Sequence, residues 1–231
     1  MQQPIAVLDS GVGGLTVVKE IFRQLPQEKI IYFGDTARAP YGPRPAYEVL
    51  KFTRQIVDYL MQYRPKMIVI ACNTATAVAL EDIRERVHVP VLGVIQPGVR
   101  AAIKTTRSGV VGVIGTEGTI KSEAYNRGLH AISPGVEIIS KACPKFVPLV
   151  EKGLFETMEA RMIVEESLQS IKRIDMDCLI LGCTHYPFLK DAISDVMGEQ
   201  VSLISSADET ARDVSAILSH GEQLASSEEV P

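Results

Sequence analysis

The sequence predicts an α/β protein built as two pseudo-symmetric, doubly wound domains with mostly parallel sheets and a functional site in the cleft between them. Three observations predict it. Short, β-branched apolar runs alternate with longer runs of helical period along the chain, the pattern of parallel sheets covered on both faces. Two stretches, Ile70-Ala71-Cys72-Asn73-Thr74 and Leu181-Gly182-Cys183-Thr184-His185, each place a cysteine at the carboxyl end of an apolar run. The chain also echoes itself. The run beginning at Val91 follows Cys72 by 19 residues, and the run beginning at Val201 follows Cys183 by 18.

Taken in order, strands are expected at 5–8, 30–34, 67–71, 91–95, 110–114, 136–140, 178–182 and 201–205. Helical stripes lie between them: Leu15, Val18, Phe22 and Leu25, then Thr53, Ile56 and Leu60, then Leu189, Ile193 and Val196, each set falling on one face at a period near 3.6. The connections carry turn chemistry at Gly11, Gly13 and Gly14, at Ala39-Pro40-Tyr41-Gly42-Pro43, and at Gln96-Pro97-Gly98. Ala6-Val7-Leu8-Asp9-Ser10-Gly11 resembles Val111-Gly112-Val113-Ile114-Gly115-Thr116 as a strand entering a glycine-bearing turn. Two related halves would bring the carboxyl ends of their strands to one cleft, where open α/β sheets bind ligands. Residues 224–231 are polar with little periodicity and are expected to fray.

Bulk properties narrow the function classes. The 231 residues are 46% hydrophobic and 23% charged, with a net charge of −4 and no basic run. That balance argues against a nucleic-acid or anionic-membrane partner. No apolar stretch approaches the roughly 18 residues of a membrane span, and Met1-Gln2-Gln3-Pro4 has no signal-peptide pattern. Four cysteines are too sparse for a disulfide scaffold, so a cytoplasmic location is expected.

A thiol at a strand end, next to the N–H groups opening a helix, is expected to be accessible and to favour the thiolate. Asn73 and Thr74 are expected to cap the helix after Cys72 and still reach a ligand carboxylate. His185, two residues beyond Cys183, can exchange a proton with that thiol near neutral pH. One thiol on each side of a substrate suits removing a proton from one face of a carbon and returning one to the other. The bland alternatives are buried, inert cysteines and a His185 bonded to backbone. Cys178 and Cys143 are expected to be core, and Glu151, read alone, to be solvated. A zinc site from Cys72, Cys183 and His185 lacks any paired ligand spacing. A dinucleotide site at Asp9-Ser10-Gly11-Val12-Gly13-Gly14 has Thr16 where glycine is needed, and Asp9 would repel a pyrophosphate; Asp35 after the second strand keeps that reading open.

Assembled, these segments resemble the glutamate racemases of the aspartate/glutamate racemase superfamily, of the bacterial cell-wall type. The resemblance spans 5–222 and rests on Val7-Leu8-Asp9-Ser10-Gly11-Val12-Gly13-Gly14-Leu15, Gly34-Asp35-Thr36, Pro40-Tyr41-Gly42-Pro43-Arg44, Ala71-Cys72-Asn73-Thr74-Ala75-Thr76-Ala77, Gly93-Val94-Ile95-Gln96-Pro97-Gly98, Leu181-Gly182-Cys183-Thr184-His185-Tyr186-Pro187 and Asp208-Glu209-Thr210-Ala211. It implies a cofactor-independent isomerase interconverting L- and D-glutamate for peptidoglycan, with Cys72 and Cys183 as the two acid/base residues. By the same analogy Asp9 assists Cys72, and His185 with Glu151 assists Cys183. Substrate contacts map onto Asp9, Ser10, Tyr41, Gly42, Asn73, Thr74, Thr184 and His185, with Thr116 and Thr119 added. The resemblance further implies a homodimer, a first domain of 1–95 plus 208–231, and a second, inserted domain of 96–207. Racemisation of aspartate or another small acid, and glutamate binding without turnover, stay open as alternatives. Members commonly carry cysteine at the position of Ala39, a change expected to be harmless. They also commonly continue beyond the position of Pro231 with structure completing the first domain, so stability or activity is expected to suffer here.

Overall fold

The computed structural model describes residues 3–172 and 175–225. Of the 224–231 expected to fray, Ala225 instead donates its N–H to Glu28 at 2.8 Å, and 226–231 lie outside the described residues. The α/β expectation holds: the described residues form eight strands in two four-stranded sheets, every pairing among them parallel.

The first sheet comprises β1 (Ile5–Asp9), β2 (Ile30–Gly34), β3 (Met67–Ile70) and β4 (Val91–Gly93) in the order β2-β1-β3-β4. The second comprises β5 (Val110–Gly115), β6 (Glu137–Ala142), β7 (Cys178–Gly182) and β8 (Ser202–Ser205) in the order β6-β5-β7-β8. One half therefore repeats the topology of the other, with β1 matching β5 and β3 matching β7. In each sheet the strand order reverses at the central pair, and ligands of open α/β sheets bind at that switch point. Asp9 ends β1, with Cys72 just beyond β3, while Thr116 and Cys183 follow the central strands of the second sheet.

Helices cover both sheets. On the first, α1 (Leu15–Gln24) and α10 (Ser206–His220) pack on one face, while α2 (Ala46–Leu60) and α3 (Asn73–Arg86) pack on the other. On the second, α4 (Ile95–Thr105) and α6 (Ala124–Ile132) cover one face. The other face carries α7 (Phe146–Glu151), α8 (Met158–Leu168) and α9 (Lys190–Met197). The short α5 (Glu117–Lys121) follows β5. The central strands are buried throughout except for Val110 at the start of β5, so their near-continuous Ile, Val and Leu content follows from having two covered faces.

Two expectations need correction. In α1 the buried residues are Val17, Val18 and Ile21, whereas Leu15 and Phe22 are each 47% exposed. A stripe rotated by one position satisfies the same period, and sheet packing selected it. Gln96-Pro97-Gly98 is not a turn but the first turn of α4. There the missing proline N–H would be unpaired anyway, and Val94 and Ile95 leave the strand for that helix.

Candidate active site

Asp9 ends β1 at the floor of the cleft and is fully buried. Its Oδ2 accepts the backbone N–H groups of Gly11 and Gly14, both at 3.0 Å. Oδ1 accepts the Thr184 hydroxyl at 3.3 Å, reaching across to the second half. Burial pushes the Asp9 carboxyl above its ordinary range, against the opposing pull of His185 and the two N–H groups. The glycine turn is dictated by close approach. A Cβ on Gly13 would stand 2.5 Å from His185 Nδ1 and closer still to the Thr184 hydroxyl, and one on Gly11 would stand 2.7 Å from Glu151 Oε1.

Cys72 caps α3 itself, its sulfur accepting the Ala75 N–H at 3.5 Å and lying 3.7 Å from the Ser10 hydroxyl. The cap expected of Asn73 and Thr74 is thus taken by the thiol. Both residues instead face the second half. Asn73 Oδ1 accepts the Tyr125 phenol at 2.6 Å. The Thr74 hydroxyl meets those of Thr116 and Thr119 at 2.9 and 3.1 Å. Thr116 also caps α5, accepting the Thr119 N–H.

Cys183 lies 3.8 Å from His185 Nδ1, and His185 Nε2 is 2.5 Å from Glu151 Oε1 at the end of α7. Glu151 is therefore engaged with the buried imidazole rather than solvated, although its side chain is 32% exposed. Tyr41 donates its phenol to Asp35 Oδ2 at 2.5 Å, and the Gly42 carbonyl accepts the Gly118 N–H at 2.9 Å. Asp35 is thus spent on Tyr41 and on an ion pair with Arg38.

One closed cavity gathers these pieces. Cys72 and Cys183 both line it, as do Ser10, Tyr41, Gly42, Asn73, Thr74, Thr116, Thr184 and His185. Asp9, Glu151 and Thr119 stand one layer behind, each bonded to a lining residue. The cavity measures about 20 Å3, room for about one water. Sequence reasoning missed Tyr125, a tyrosine on an ordinary amphipathic helix that nothing local marks as reaching Asn73.

The expected accessible thiolates are overturned. Cys72 is 5% and Cys183 7% exposed. Burial first, and Asp9 second, push the Cys72 thiol up to about 12. Burial likewise raises Cys183 well above the usual thiol range, opposed by the N–H groups of His185 and Tyr186. N–H donors aim at both sulfurs, but desolvation outweighs them. Cys143 and Cys178 are core residues as expected. Among the described residues no three His, Cys, Asp or Glu side chains are placed to hold a metal ion, and no helix is long and apolar enough to cross a membrane.

The family model described as Asp/Glu/Hydantoin racemase matches residues 5–214. The chain belongs to that family. It is 54% identical over 232 residues to the glutamate racemase of Oceanobacillus iheyensis, covering 100% of this chain and 85% of that protein. A glutamate racemase isoform from Bacillus anthracis superposes with TM-score 0.94 at 49% identity, over 96% of this chain and 84% of that one. The glutamate racemase of Francisella tularensis, solved with D-glutamate, gives TM-score 0.93 at 36% identity over 100% and 86%. The racemase fold thus extends over both halves of the chain.

Proposed function

We propose that this chain is a glutamate racemase, an isomerase that interconverts L- and D-glutamate by two-cysteine proton transfer. The observation that carries the reading is one cavity lined by both sulfurs, with His185 Nδ1 3.8 Å from that of Cys183 and the Asp9 carboxylate acting electrostatically on that of Cys72. High identity to proteins named glutamate racemases supports the choice of substrate. In one direction the Cys72 thiolate takes the Cα proton of D-glutamate while the Cys183 thiol delivers its proton to the opposite face. The reverse direction exchanges the roles, so each turnover leaves one thiol and one thiolate swapped. Asp9 serves the Cys72 side, and His185, held by Glu151, serves the Cys183 side.

The raised thiols need a source of charge stabilisation. A zwitterionic substrate carries its ammonium into the same dry space, where a positive charge favours a thiolate. The Ala75 and Thr74 N–H groups then support sulfur 72, and those of His185 and Tyr186 support sulfur 183. Asn73, Thr74, Thr116 and Thr184, with Ser10 and the Tyr41–Gly42 loop, offer donors for the carboxylates and the enolate-like charge. The cavity has room for about one water, so a dicarboxylic amino acid enters as the cavity walls move apart.

The same reading makes the protein a cytoplasmic homodimer that supplies D-glutamate for peptidoglycan. It divides the chain into 1–95 plus 208–231 and 96–207. Packing of α10 on the β1–β3 core and of α4 on the β5–β7 core supports that division. The test is chiral chromatography of L- and D-glutamate and of L- and D-aspartate, incubated with the protein and with Cys72→Ser and Cys183→Ser. The expected result is racemisation of glutamate alone, lowered on the order of a thousandfold or more in each variant. Faster racemisation of aspartate, or full activity in either variant, would overturn the reading.

A further inference from the structure

We propose that Tyr125 is a positioning residue, its phenol fixing the Asn73 amide with its N–H groups turned into the cavity and tying the two cysteine-bearing segments together at the hinge. The inference rests on the reading that Asn73 binds a substrate carboxylate.

The chain crosses between the sheets at 93–95 and at 205–206. Tyr125 sits beside both crossings. It is 2% exposed and packs in the second-sheet core with Ile95, Val99 and Ile180. A Cβ on Gly98, near the first crossing, would stand 3.5 Å from ring atom Cε1 and 3.6 Å from the phenol oxygen. The same Cβ would lie 3.3 Å from the Cβ of Ser206, at the second crossing. The opposite ring edge covers Gly182, next to Cys183, where an added Cβ would stand 3.0 Å from Cε2. The phenol itself donates to Asn73, next to Cys72. One ring therefore touches the neighbours of both sulfurs at the point about which the halves would part.

The amide explains what the bond does. Asn73 Oδ1 is occupied by the phenol, while its amide nitrogen meets no protein acceptor among the described residues and Asn73 itself lines the cavity. The bond selects the orientation that offers donors to an anion. An amide free to turn would present its carbonyl for part of the time and repel a carboxylate. Burial raises the phenol above its usual range, so it remains a donor at working pH.

The test compares the wild-type chain with Tyr125→Phe, Asn73→Ala and the double variant. Phenylalanine keeps the ring contacts with Gly98 and Gly182. Tyr125→Phe is expected to raise KM for glutamate about tenfold with kcat within about threefold, as befits a lost ground-state orientation. The double variant is expected to match Asn73→Ala within about twofold, because the phenol reaches the substrate only through that amide. A wild-type KM in Tyr125→Phe, or losses that multiply in the double variant, would overturn the inference. A second readout needs no turnover. The Asn73 side-chain 15N signal, assigned by its loss in Asn73→Ala, is expected to shift in ligand-free Tyr125→Phe. An unmoved signal overturns the positioning role. A shifted signal in a wild-type chain that neither binds nor racemises glutamate would instead sink the function proposed above and leave the Tyr125–Asn73 coupling standing.

Discussion

Cys72, Cys143 and Cys178 are each raised to about 12 by burial, and Cys183 is raised well above its ordinary value by the same cause. On unfolding, each thiol returns to an ordinary value near 9. Between about pH 9 and 12 the folded chain therefore binds more protons than the unfolded one, and stability falls as pH rises. Each thiol contributes about 1.4 kcal/mol per pH unit across that window and nothing below it. Urea unfolding at pH 8, 9.5 and 10.5 is expected to show this loss. Cys178→Ala, which removes a core thiol away from the cavity, is expected to make the slope shallower by about 1.4 kcal/mol per pH unit. An unchanged slope would contradict the burial account. The residue types at the site were legible from their position after apolar runs. Their protonation was not, because desolvation depends on what the other half of the chain places over each sulfur.

At the scale of elements, the turn joining β1 to α1 decides how the halves meet. Gly13 lies so close to the Thr184 hydroxyl and the His185 imidazole that an added Cβ would displace them. Gly13→Ala is expected to displace His185 from Cys183 and lower kcat on the order of a hundredfold, with the far-UV circular dichroism unchanged. Wild-type kcat in this variant would show that the contact does not set the imidazole. Element type and order were readable because both sheets are built from buried parallel strands with distinctive apolar runs. Helix rotation was less so: Leu15 and Phe22 fit the period of α1 as well as Val17 and Ile21 do, and only the sheet distinguishes them. The buried ion pair of Lys66 with Glu28, 2.6 Å apart, was invisible for a similar reason. Both are charged residues beside strand starts, and their enclosure comes from the C-terminal segment, where Lys66 donates to the Gln223 carbonyl and Glu28 accepts the Ala225 N–H.

At the scale of the molecule, the repeated strand order places Cys72 and Cys183 at equivalent positions of two equivalent halves. Facing such halves converts one strand-end thiol into a pair, which inversion at a carbon requires and a single copy lacks. The echo in cysteine-to-strand spacing hinted at this. The Tyr125–Asn73 and Thr74–Thr116 contacts could not be read, since they join residues about 40 to 50 positions apart across the cleft. The most direct test follows the isotope at Cα when L-glutamate is racemised in D2O. With one thiol on each face, D-glutamate should appear fully deuterated at early times while the remaining L-glutamate keeps its proton. Proton carried from substrate into product, or deuterium entering recovered L-glutamate as fast as product forms, would mean a single base works on both faces.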